Sequence, residues 1–124
     1  MKKLFITGGF GYIGSNLIIQ LLSLKKYNIT VLDNLLYKQS VIDNIHINHI
    51  NRNITEIEDY EKLINNYDVV IHLAALVGDP ICSKHTELSK KINYDASIKL
   101  INSAKKCNIK KYIFVSTCSN YGKM

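Results

Sequence analysis

The residues of this chain best suited to chemistry lie in a glycine-rich segment near its start. Thr7-Gly8-Gly9-Phe10-Gly11-Tyr12-Ile13-Gly14 separates a short apolar run from an amphipathic stretch. In such a turn Gly8 lets the chain reverse sharply, and Gly11 leaves room for a pyrophosphate to reach the backbone. Gly14 lets the following helix pack closely against the sheet. The start of that helix offers N–H groups to phosphate oxygens. The spacing is G-x-x-G-x-x-G rather than the more general G-x-G-x-x-G, which points to one subclass of dinucleotide binders. A glycine-rich turn can serve a tight corner and nothing else, but here it has the strand-turn-helix context that dinucleotide binding requires.

A carboxylate follows at the right distance. Asp33 closes a second β-type run 19 residues after Gly14. There it can accept hydrogen bonds from the adenosine ribose hydroxyls, and its charge opposes a 2′-phosphate. No Arg stands near it to welcome such a phosphate, so the expected cofactor is NAD rather than NADP. The plainer reading is a turn residue that ends a strand.

Other chemistries find less support. The three cysteines, Cys82, Cys107 and Cys118, form no C-x-x-C pair, which argues against a disulfide framework or a structural zinc site. His46, His49, His72 and His85 show no ligand spacing, so no metal is expected. The net charge of +6 is carried by fifteen Lys and a single Arg. Nucleic-acid readers rely on Arg for bidentate contacts. The lysine pairs read instead as a solvated surface, several of them at helix ends, and no nucleic-acid partner is expected.

Elements that alternate along the chain must hold the glycine turn and Asp33 in place. Its 124 residues, 47% hydrophobic with one Pro and six Gly, suit one ordered domain. No apolar run nears the ~18 residues of a membrane span, and the short charged start does not read as a signal peptide. The expectation is a reduced, cytoplasmic protein with no membrane partner. Strands are predicted at 3–7, 29–32, 46–50, 68–73 and 111–116. Helical stretches are predicted at 12–26, 55–66 and 86–107, with 35–45 a loop containing one helical turn. Thr55 is a candidate N-cap and spaces with Glu58 as a capping box, though the helix can start later. Leu88, Ile92, Ala96, Leu100 and Ala104 lie on one face of the long helix. This alternation predicts an α/β, doubly wound parallel sheet of order 3-2-1-4-5, with a ligand at the carboxyl ends of strands 1 and 4.

Four stretches carry a resemblance. TGGFGYIG at 7–14, LDNL at 32–35, HLAA at 72–75 and VSTCSNYG at 115–122, together with Asn93, occur in the order and spacing of one family. The chain resembles the extended short-chain dehydrogenase/reductases, the nucleotide-sugar epimerase/dehydratase family, with its Rossmann fold. The resemblance implies that Tyr12 and Ile13 cover the pyrophosphate, while Asp33 and Asn34 hold the adenosine ribose. It puts Asn53 and Ile54 beside the adenine, where the family often has Asp-Ile, so an acceptor is kept and a charge lost. Leu73, Ala74, Ala75 and Leu76 would line the middle of the dinucleotide. Asn93 would organise the active site from its helix, or else simply face water. Thr117 aligns with the catalytic Ser/Thr that hydrogen-bonds the sugar hydroxyl being oxidised, a task a strand-end hydroxyl suits because it both donates and accepts. Cys82 and Cys118 receive no chemical role.

The family's reaction is a transient oxidation at sugar C4 of a nucleoside-diphosphate sugar, and its base is a Tyr-x-x-x-Lys pair. That pair is missing here: Tyr27, Tyr94 and Tyr112 lack Lys at the fourth position, and Tyr121 matches the Tyr-Gly turn instead. Residues 1–124 therefore read as an incomplete NAD-binding Rossmann domain, a fragment without the substrate-binding lobe. Family members commonly dimerise through helices beside strands 4 and 5; only one of those helices is present here, so the resemblance leaves the oligomeric state, a homodimer included, open. The competing expectations are a catalytically inactive NAD-binding module or degenerate gene product, and a Rossmann domain that senses NAD redox state through a partner.

Overall fold

A computed structural model describes residues 1–35, 41–74, 87 and 90–115 of the chain. Strands β1 (Lys2–Thr7), β2 (Tyr27–Leu32), β3 (Ile47–Ile50), β4 (Val69–His72) and β5 (Lys111–Phe114) form one sheet in the order β3-β2-β1-β4-β5. Every pairing is parallel, with Ile6 opposite Val31 on one side and Ile71 on the other. The predicted doubly wound topology is the observed one.

The apolar runs fold as central strands because both of their faces are covered. Successive side chains point to opposite faces, and each run splits accordingly. Leu4, Ile6, Ile29, Val31 and Ile71 join Phe10 and Ile18 in one cluster, under helix α1 (Tyr12–Ser23). Phe5, Leu32 and Val70 join the second cluster on the other face. Helix α2 (Tyr60–Ile64) adds Tyr60 and Ile64 to it, and helix α3 (Ala96–Lys106) adds Ala96, Leu100 and Ala104. Burying each large aliphatic or aromatic side chain contributes about 1.5–3 kcal/mol.

Boundaries differ from expectation where local chemistry intervenes. Helix α1 stops at Ser23 rather than Lys26, because Lys25 takes a left-handed conformation (φ 54°) and its N–H closes on the Leu22 carbonyl. The Lys25-Lys26 pair thus lies outside the helix. Asn108 (φ 55°) ends α3, with the Ile109 N–H on the Ala104 carbonyl and the Asn108 N–H on that of Lys105, the paired bonds of a Schellman motif. The predicted capping box is absent. Asn53 caps a 3₁₀ turn (Ile54–Glu56), and Asp59, accepting from the Lys62 N–H, caps α2. Among the described residues no helical turn lies at 41–46.

The long helical stretch is not uniform. Lys91–Asp95 forms a π-turn that runs into α3. Ile92, Ala96, Leu100 and Ala104 are buried as the periodicity demands; Leu88 lies outside the described residues. β3 and β5 are the edge strands, and Ile113 and Phe114 of β5 are exposed.

Candidate functional site

The sheet order reverses between β1 and β4, so crossovers leave their carboxyl ends in opposite directions and open a crevice there. Thr7 ends β1 and His72 ends β4, side by side in register. The glycine turn begins at the next residue. Gly8 holds a left-handed φ of 68° and donates its N–H to the Leu32 carbonyl at 2.8 Å. A Cβ on Gly8 would stand 2.8 Å from the backbone of Ala74, so β1 and β4 can exit this close only with glycine there.

Each remaining glycine answers to a different neighbour. A Cβ on Gly14 would lie 2.5 Å from the Gly9 carbonyl oxygen, so its constraint comes from the turn itself rather than from the sheet. Gly9, to which sequence reading assigned nothing, would bring a Cβ within 2.8 Å of Val31. Gly11 is different. Its φ of −71° is ordinary, and an added Cβ would meet only the Gly8 carbonyl oxygen, at 3.4 Å. Neither backbone conformation nor packing explains glycine at position 11, whereas a group held against the turn would. No side chain caps α1 at Gly11, and the first N–H groups of a helix lack intrahelical acceptors. Tyr12 and Ile13, in that first turn, are 87% and 58% exposed, so their side chains stand open beside the turn. This cradle fits a pyrophosphate.

Asp33 is buried beside the turn. Its Oδ2 accepts the Phe10 N–H at 3.0 Å and its Oδ1 accepts the Leu35 N–H at 2.8 Å. Its carbonyl lies 2.9 Å from His49 Nε2, and that imidazole meets the Phe10 ring edge-on at 4.8 Å. Asp33 is therefore a brace for the glycine turn, a role the spacing alone did not reveal. Asn34 lies next to it, half-buried.

Asn53 and Ile54 serve the fold visibly. Asn53 Oδ1 accepts both the N–H and the hydroxyl of Thr55, and Ile54 is buried in the second cluster. The Ile54 carbonyl accepts the buried Tyr60 hydroxyl. Leu73 and Ala74 are half-buried at the exit of β4, and Asn93 is half-buried in the π-turn. Ala75, Leu76 and Thr117 lie outside the described residues, as do Cys82 and Cys118.

His72, which the sequence marks only as the first residue of HLAA, has a larger part in the structure. It is almost fully buried, with Nδ1 2.6 Å from Thr7 Oγ1 and Nε2 2.7 Å from Ser97 Oγ. Burial pushes its pKa down to about 4, so the ring is neutral at pH 7. The signal was available: a polar residue inside the buried run Asp68-Val69-Val70-Ile71-His72-Leu73 must find partners.

The family model of the NAD-dependent epimerases and dehydratases matches residues 4–124. The chain belongs to the NAD-dependent epimerase/dehydratase family. Among its relatives is a UDP-N-acetyl-alpha-D-glucosaminuronate decarboxylase from Bacillus cytotoxicus, 36% identical over 98% of this chain and 38% of its own length. A UDP-N-acetylglucosamine 4-epimerase from Methanobrevibacter ruminantium, solved with UDP-N-acetylmuramic acid, is 31% identical and superimposes with a TM-score of 0.88. That match covers 99% of this chain and 40% of the epimerase. A UDP-glucuronic acid 4-epimerase from Bacillus cereus, solved with NAD, is 30% identical with a TM-score of 0.84, covering 98% of this chain and 42% of its own. The chain thus spans about two-fifths of the length of these epimerase/dehydratase-family proteins. NAD is the cofactor of the family. Among the described residues no helix is long and apolar enough to cross a membrane.

Proposed function

We propose that this chain supplies the NAD-binding part of an enzyme that epimerises or dehydrates a nucleoside-diphosphate sugar through transient oxidation at sugar C4. The observation that carries the reading is Gly11. It is the one glycine of the fingerprint whose missing side chain neither the backbone nor the packing of this protein demands.

In this reading the pyrophosphate rests on Gly8, Gly11 and Gly14 and on the first N–H groups of α1, under Tyr12 and Ile13. Bound NAD supplies a hydride acceptor that returns the hydride within one turnover. Asp33, already ordered by Phe10 and Leu35, meets the adenosine ribose with a fixed carboxylate, and Asn34 assists it. Asn53 contributes its amide beside the adenine, on the turn that Ile54 anchors in the core. Leu73, Ala74, Ala75 and Leu76 form the wall along the middle of the dinucleotide, and Asn93 stands on the opposite, helical side. Thr117 takes the sugar hydroxyl, orienting its proton for a base outside these 124 residues.

A fluorescence titration with NADH tests the cofactor assignment. Saturable binding, and clearly weaker binding of NADPH, are expected; equal affinity for the two removes Asp33 from the ribose. The enzymatic assignment is tested by translating the coding sequence that follows codon 124 in all three frames. A Tyr-x-x-x-Lys pair a short way beyond is expected, and unrelated sequence after a stop would leave NAD binding as the whole activity.

A further inference from the structure

The buried and part-buried hydrogen bonds around His72 form a chain with a single direction. Thr7 Oγ1 accepts the Ala74 N–H at 3.1 Å and, also at 3.1 Å, the Leu73 N–H, which is shared with the Thr7 carbonyl at 3.0 Å. Both of its acceptor positions are then used, so its own proton is directed to His72 Nδ1. The ring proton consequently sits on Nε2 and is donated to Ser97 Oγ. Ser97 donates in turn to the Asn93 carbonyl at 3.1 Å.

This chain links three places. It starts at the residue before Gly8, crosses the end of β4 at the wall residues Leu73 and Ala74, and ends inside the π-turn Lys91–Asp95. A π-turn is a rare interruption of a helix and is found frequently at functional sites. Here a side chain from the helix's next turn holds its carbonyl, and the sheet holds that side chain.

Only a neutral imidazole completes the arrangement. A protonated ring would offer Thr7 Oγ1 a third donor, more than a hydroxyl oxygen with two lone pairs accepts. The Phe114 ring lies 5.6 Å from the imidazole by centroids.

We propose that His72 is a positioning residue: through Thr7 on one side and Ser97 on the other, it sets the π-turn carrying Asn93 at a fixed spacing from the glycine turn. The two walls of the dinucleotide crevice are thereby held in register by one imidazole. The inference rests on the NAD-binding reading above.

Nitrogen-15 NMR of the 124-residue chain, with an NADH titration, tests it. The His72 ring is expected as the Nε2–H tautomer, and NADH is expected to move the Asn93 amide signals. Ser97→Ala keeps a good helix former but cuts the chain at its far end. It should weaken NADH binding about three- to tenfold, the worth of one buried hydrogen bond, and abolish the NADH response of Asn93. Ser97→Thr restores the hydroxyl, which can still bond the carbonyl four residues back, and should restore both. An Nδ1–H tautomer, or unchanged NADH binding by Ser97→Ala, overturns the positioning role alone. Failure of the unaltered chain to bind NADH overturns the cofactor reading and this inference with it.

Discussion

The carboxylate of Asp33 accepts the backbone N–H of Phe10 at 3.0 Å, so the residue that ends β2 also braces the turn that follows β1. These residues are 23 positions apart, and the sheet brings them together by pairing Thr7 with Leu32. A group usually considered for what it offers a ligand is here part of the scaffold that shapes the glycine turn.

Asp33→Asn should therefore act twice. Replacing a charged acceptor of buried backbone N–H groups by an amide is expected to cost about 1.5–3 kcal/mol in a urea melt. It should also narrow the gap between NADH and NADPH affinity, because the charge opposing a 2′-phosphate is gone. A stability loss with no change in the affinity ratio would confine Asp33 to bracing.

The fingerprint glycines should separate by variant. Gly14→Ala and Gly8→Ala force a Cβ to within 2.5 and 2.8 Å of backbone atoms, and neither is expected to fold to a cooperative structure at ~25 °C. Gly11→Ala meets only ordinary contact at 3.4 Å and should melt near the unaltered protein while losing NADH affinity at least tenfold. Thermal melts beside NADH titrations decide this, and full NADH binding by Gly11→Ala would count against the pyrophosphate cradle.

Stability should depend on pH through His72. An unfolded imidazole titrates near 6.5, and burial lowers this one to about 4. Between those values the unfolded state binds more protons, so stability falls as pH drops from about 6.5 toward 4 and levels off below. The full loss is on the order of 3 kcal/mol, and it begins above the range where carboxylates titrate. Urea midpoints that stay level between about pH 6.5 and 5 would contradict a buried neutral ring.

Tyr60→Phe removes the hydroxyl that the Ile54 carbonyl accepts. Leaving that buried carbonyl unpaired should cost about 1–3 kcal/mol. If Asn53 and Ile54 flank the adenine, NADH binding should weaken severalfold as well. A lower melting temperature with intact NADH affinity would remove this turn from the site.

Much of the fold was legible because the apolar runs are short, alternate with helical stretches and end in glycine or Asp-Asn. The burial of Ile92, Ala96, Leu100 and Ala104 follows from their spacing. Helix ends were less legible. Lysine has no preference that marks a left-handed residue, and Lys25 takes that conformation only where the chain must turn into β2. The Thr55–Glu58 capping box lost to Asn53 and Asp59, because Ile54, Ile57 and Tyr60 all reach the core through that register.

By itself the sequence determined the strand order, the place of the crevice and the identity of its glycine turn. Those depend on periodicity and on residues adjacent in the chain, which local sterics control. Tertiary structure alone decided what each polar residue near the crevice bonds to. That Asp33 braces Phe10, that Gly14 faces Gly9 and that His72 joins Thr7 to Ser97 are consequences of register between strands and of how the π-turn packs on the sheet. Buried polar groups must be satisfied by whatever the fold brings within hydrogen-bond reach, and His72 and Thr7 meet across 65 residues of chain.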